Sequence, residues 1–66
     1  MKLTKKQLDE KVKVICYGEE KTYTRKKAIE FFRRGIICCD PDSSECERYM
    51  NIYAHLMAGA MVAKDE

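Results

Sequence analysis

The chain has 66 residues, with 13 Lys+Arg against 11 Asp+Glu, one His, four Cys and no Trp. That length holds one small domain spanning residues 1–66, which buries only about 60% of its unfolded surface and leaves no room for a walled catalytic cleft or a dinucleotide-binding unit. At 45% apolar and 36% charged, with the charges mixed rather than in blocks, the sequence is too hydrophobic for disorder.

In chain order, Thr4-Lys5-Lys6-Gln7 has the spacing of a capping box and predicts a short helical turn over residues 4–10. Lys11–Tyr17 alternates with period two and is β-branched, so it reads as a strand with Val12, Val14 and Cys16 facing inward. Gly18-Glu19-Glu20 supplies a turn, and Lys21–Thr24 a short return strand. Thr24 caps a helix expected from Arg25 to Cys39, on which Ala28, Phe32, Ile36 and Cys39 share a stripe about 80° wide, with Ile29 at its edge. Asp40-Pro41 ends that helix, because the residue before proline is pushed out of the helical region. Asp42-Ser43-Ser44 opens the last helix, with Ser44-Glu45-Cys46-Glu47 at capping-box spacing and an end expected near Ala63. Its stripe is Tyr49, Ile52, Tyr53, Leu56 and Ala60, edged by Met50, Met57 and Met61. The expected architecture is α+β: a small ββαα domain in which an N-terminal β-hairpin packs on a two-helix hairpin.

A core of this size supplies only about 3–5 kcal/mol, so a staple or an oligomer partner is expected. No apolar h-region follows the basic N-terminus and no stretch reaches the roughly 20 apolar residues of a membrane span. The expected setting is the cytoplasm, where thiols stay reduced and read as metal ligands or core groups before disulfides. Cys16, Cys38, Cys39 and Cys46 all fall where hairpin and helical hairpin join, which makes them candidate ligands of a structural zinc. Such an ion supplies roughly 10–16 kcal/mol of apparent binding energy. Two features weigh against it: no Cys-x-x-Cys knuckle is present, and adjacent Cys38 and Cys39 share an ion only if the last helical turn unwinds. Asp40, Asp42 or Glu45 can replace a thiol, and the competing reading makes Cys16, Cys39 and Cys46 small core hydrophobes. His55 lies about 13.5 Å along the helix from Cys46 on the opposite face, so it is expected to be solvated rather than a ligand.

Catalysis has no foothold. The glycines are scattered, and the paired carboxylates sit in a turn or at a helix start, where solvation and the helix dipole account for them. Charge is uneven: residues 1–34 hold eleven Lys/Arg against five Asp/Glu, and residues 35–66 hold two against six. The basic half can meet nucleic acid or an acidic protein face. Arg25-Lys26-Lys27 with Arg33-Arg34, beside Tyr17 and Tyr23, would suit nucleic acid. The loop before the last helix is longer than a helix-turn-helix turn, however, and that helix begins with Glu45 and Glu47, which phosphate would repel. A protein partner fits better, contacted by Arg33 and Arg34, by Phe31 off its helix stripe, and by Met50 and Met57 on an adaptable edge. The same methionines would serve a weak homodimer, so monomer and weak homodimer both stay open.

Asp9–Val14, Thr24–Ile29, Gly35–Cys39, and Glu47-Arg48-Tyr49 with Ile52, Tyr53, Leu56 and Gly59 resemble short proteins encoded on mobile elements of anaerobic Gram-positive bacteria. The resemblance covers nearly the whole chain, although none of its pieces is a chemical motif. Proteins of this setting include phage-type anti-CRISPR inhibitors of the type II (Cas9-type) RNA-guided nuclease, some of them zinc-binding. The resemblance implies a non-enzymatic, stoichiometric inhibitor that blocks nucleic-acid loading or activity, and it transfers no individual contact residue. The runner-up is a small nucleic-acid-binding regulator from the same kind of element.

Overall fold

The computed structural model describes residues 3–65. Its elements are α1 (Lys5–Asp9), β1 (Lys11–Cys16), β2 (Glu19–Thr24), α2 (Arg25–Cys38), α3 (Ser44–Met57) and β3 (Val62–Lys64). The fold is α+β, with the hairpin and the two long helices in the expected ββαα order. The short first helix carries the full capping box: the Thr4 hydroxyl accepts from Gln7 N–H while the Gln7 side chain accepts from Thr4 N–H.

The hairpin turns more tightly than expected. Tyr17 and Gly18 alone form the loop, with φ of 53° and 76°, and Cys16 pairs directly with Glu19. Positive φ at both central residues is the primed turn whose twist matches that of paired strands. The return strand therefore starts at Glu19, two residues before the expected Lys21, and the first strand stops at Cys16. In this register Val12, Val14 and Ala63 face the helices, and they form one core with Ala28, Phe32, Ile52 and Leu56. The other sheet face presents Lys11, Lys13, Thr22 and Lys64 to solvent.

Helix α2 starts where Thr24 Oγ1 accepts from Lys27 N–H at 3.3 Å. Helix α3 starts one residue earlier than the capping-box spacing implies, because Ser43 Oγ takes the Cys46 N–H at 3.1 Å. The largest departure from expectation lies at the other end of α3. Instead of running to Ala63, the helix stops at Met57, Gly59 turns left-handed at φ 86°, and the chain returns as β3, parallel to β1. Gly59 N–H donates to Leu56 O and Ala60 N–H to His55 O, which is the Schellman stop that glycine permits. The sheet order is β2-β1-β3.

Arg25 is fully buried under this junction. Its Nη1 donates to Leu56 O at 2.9 Å and Ala60 O at 2.8 Å, its Nη2 to Gly59 O at 3.2 Å, and its Nε to Gln7 O at 3.2 Å. Glu10 lies 3.8 Å from the same guanidinium. The first residue of α2 thus ties α1 to the end of α3 and the approach to β3.

The two long helices touch closely at Gly35, where a Cβ would stand 2.8 Å from Tyr49 Cδ2 and 2.9 Å from Cε2. The Tyr49 ring cannot swing away freely, since it packs edge-on against Phe32 and its hydroxyl donates to Glu45 at 2.7 Å. Gly35→Ala should therefore lose stability: overpacking costs about 1–3 kcal/mol, more than the gain of about 1 kcal/mol in helix propensity. Urea denaturation checks this, and shrinking the ring with Tyr49→Leu should recover part of the loss. A midpoint at or above the parent's would contradict the close approach.

Candidate functional site

The outward side of α2 carries Lys26, Lys27, Glu30, Phe31, Arg33, Arg34 and Ile37, all exposed. Phe31 is 57% and Ile37 73% accessible. Among the described residues the ion pairs are Lys13–Glu20, Lys21–Glu19, Arg25–Glu10 and Arg48–Asp65, so Lys26, Lys27, Arg33 and Arg34 all lack an acidic partner within ion-pair distance. The helix presents four free cations around two large apolar side chains. Arg25, which the sequence groups with this basic cluster, is withdrawn from it into the interior.

Beside Phe31 an open groove of about 180 Å³ runs between β2 and the helices. Val14 and Phe32 lie in it with Tyr23, Phe31 and Tyr49, and Lys21 and Glu19 flank it. Tyr23 and Phe31 stack at 6.4 Å with their planes 15° apart, and Phe31 meets Phe32 edge-on at 5.1 Å.

One end of the groove is fixed by the hairpin turn. Tyr17 N–H donates to Asp65 Oδ2 at 3.0 Å, and Arg48 Nη1 lies 2.6 Å from the same oxygen. The Arg48 guanidinium also sits 4.8 Å over the Tyr17 ring, and Asn51 Nδ2 donates to the Asp65 carbonyl at 3.3 Å. A tyrosine in the left-handed region is unfavourable by itself, and this clamp offsets its strain.

The expected contact residues fall on more than one surface. Arg33, Arg34 and Phe31 are exposed on α2, whereas Met50 is exposed on α3 with its sulfur 3.9 Å from Cys46 Sγ, and Met57 is half-buried. The four cysteines are only partly gathered. Cys46 is buried in the first turn of α3, Cys39 half-buried at the end of α2, Cys16 half-buried at the end of β1, and Cys38 exposed. Cys39 Sγ donates to Ile36 O at 3.5 Å and Cys46 Sγ lies 3.9 Å from Met50 Sδ; burial first and then the neighbouring Cys46 thiol push Cys39 up to about 11. Burial, with Asp65 second, also raises Cys16. Both thiols are therefore held in the neutral form at pH 7, unlike an activated nucleophile. Among the described residues no group of three or more His, Cys, Asp or Glu side chains forms a ready cation site. His55 is not simply solvated: half-buried, its Nδ1 accepts from Lys64 N–H at 3.2 Å and so braces β3.

Sequence reading misses Arg25, the Tyr17–Arg48–Asp65 clamp and the groove, since each joins residues from distant segments. The chain matches no family model, no curated protein and no solved structure. No helix among the described residues is long and apolar enough to cross a membrane.

The Asp65 carboxyl is held below its ordinary range, first by Tyr17 N–H and then by Arg48. A depressed carboxylate adds stability above its unfolded value of about 3.9, and that stability is lost as pH falls through the folded value. The stability gap between the parent and Asp65→Asn should therefore be wide at about pH 6 and shrink toward about pH 2. Urea midpoints across that range read the gap; a pH-independent gap would contradict the clamp.

Proposed function

We propose that the chain is a non-enzymatic, protein-binding inhibitor that docks through the outer side of α2, and that its target is the type II RNA-guided nuclease. The observation that carries the docking reading is the set of unpaired cations Lys26, Lys27, Arg33 and Arg34 interleaved with exposed Phe31 and Ile37. Cations alone would serve a phosphate backbone, whereas two large apolar side chains among them gain from an apolar protein surface with acidic groups around it. The nuclease as target comes from the resemblance of the whole chain. It suits a small cytoplasmic partner that works by occupancy, covering a channel or locking a domain.

A structural zinc belongs to the same proposal. Cys39 and Cys46 flank the junction of α2 and α3, near enough for the Cys46 thiol to raise Cys39, and Cys16 and Cys38 are the remaining ligands. The ion would join the helical corner, where no ion pair among the described residues links α2 to α3.

Native mass spectrometry of untagged protein with the purified nuclease reads both parts. The expected species is a one-to-one complex carrying one zinc that a chelator removes. Reversing Arg33 and Arg34 to Glu should weaken the complex by about tenfold or more, about 1.4 kcal/mol, with an unchanged circular dichroism spectrum. An unaltered isotherm would remove this face from the interface. A bare chain mass would remove the zinc and leave the inhibitor reading standing. Duplex DNA binding that falls steeply with salt, without nuclease binding, would replace the inhibitor by a nucleic-acid-binding regulator.

A further inference from the structure

The edge of β2 is open. The strand pairs with β1 on one side only, in an unbroken one-to-one register without bulge or proline. The two-residue turn makes Cys16 and Glu19 the first hydrogen-bonded pair, so alternation directs the N–H and C=O groups of Glu20 and Thr22 outward from the sheet. The other edge, β3, has three residues and ends in the Asp65 clamp, so β2 is the edge long enough to take another strand.

The groove lies beside this edge. Lys21 and Tyr23 sit opposite Val14 and Val12 and therefore point to the helix side of the sheet, yet the helices leave Lys21 exposed and Tyr23 only half-buried. A volume of about 180 Å³ lined by Val14, Phe32, Phe31 and Tyr23 is room for one aromatic or branched aliphatic side chain. Lys21 stands at its mouth and Lys11 and Lys27 flank the strand; among the described residues Lys11 and Lys27 have no acidic partner within ion-pair distance, and Lys21 is only loosely met by Glu19 at 4.0 Å. An added strand thus meets free backbone groups, an apolar seat and a cationic margin.

We propose that the free edge of β2 receives an extended acidic segment of a partner protein as a fourth strand, with one apolar side chain seated over Tyr23 and Phe31. Strand addition of this kind draws affinity from main-chain hydrogen bonds and specificity from alternate side chains. The acidic character follows from the three lysines. A second copy of this chain would bring its own Glu19 and Glu20 to the same lysines, so it is the competing occupant, and a concentration-dependent dimer lost in Thr22→Pro would overturn the proposal. The inference rests on the protein-binding reading above but not on the nuclease as target.

The test is a displayed library of random 12-residue peptides, panned on the intact protein. Selected peptides are then measured by fluorescence anisotropy beside fluorescein-labelled dT12. The expected pool is acidic with one aromatic or branched apolar residue. Its members should bind at least tenfold more weakly to Phe31→Ala and to the Lys21→Glu/Lys27→Glu pair, and Thr22→Pro should abolish binding. Phe31 is more than half exposed, so Phe31→Ala keeps the test decisive if Thr22→Pro fails to fold. Thr22 N–H should gain protection from hydrogen exchange in the complex. A panned pool without binders, or binders indifferent to Phe31 and the lysines, would overturn the proposal, and so would preferential binding of dT12. Peptide binding by a parent protein that does not bind the nuclease would sink the inhibitor target and leave the groove.

Discussion

A single buried guanidinium holds this fold together. Arg25 is fully enclosed and donates to the carbonyls of Gln7, Leu56, Gly59 and Ala60. Burying a charge is costly unless its donors are satisfied, and here every arm of the fork has an acceptor. Three of the four carbonyls belong to the stop of α3, where the helix dipole is negative and a cation is favoured. Glu10 adds a partial counter-charge from the other side. Arg25 bonds three carbonyls of the turn in which α3 stops, and with the left-handed Gly59 it fixes the return of the chain as β3.

That constraint divides the molecule. Around Arg25, the C-terminal half of α3, α1 and β3 are tied by hydrogen bonds, and a second tie at Asp65 fixes the hairpin turn. The opposite side is left open: the outer face of α2 and the edge of β2 carry free cations, exposed Phe31 and Ile37, and unpaired backbone groups. A 66-residue chain needs most of its apolar residues for its own core. Large apolar side chains left outside among unpaired cations are what draw the protein-binding reading to this side.

Local physics made much of the fold legible. The alternation at Lys11–Cys16, the caps Thr4 and Thr24 and the stripe Tyr49–Ile52–Leu56 each signal their element within one segment. The stop at Gly59 was signalled too, by a glycine just past a periodic run, but the neighbouring alanines extend the helical pattern and mask it. Strand β3 is only three residues long, too short for any periodicity, and exists because β1 offers it a partner. Arg25 reads as one member of a basic run; nothing local distinguishes a cation destined for the interior. Helical phase alone puts Phe31, Arg33 and Arg34 off the buried stripe of α2, and all three are exposed there. The groove was not, because its wall at Tyr23 follows from a register set by the Tyr17–Gly18 turn.

The most direct test of this account is native-state hydrogen exchange on Arg25→Lys. Lysine keeps the positive charge but cannot reach carbonyls on both α1 and the α3 stop. Lys13 N–H donates to Met61 O and Asp65 N–H to Ile15 O, so these two amides report the β1–β3 junction. Both should lose more protection than the β1–β2 amides, whose loss follows only the global fall in stability of about 3 kcal/mol or more as buried carbonyls go unpaired. Wild-type protection at Lys13 and Asp65, with an unchanged unfolding midpoint, would contradict the central place given to Arg25.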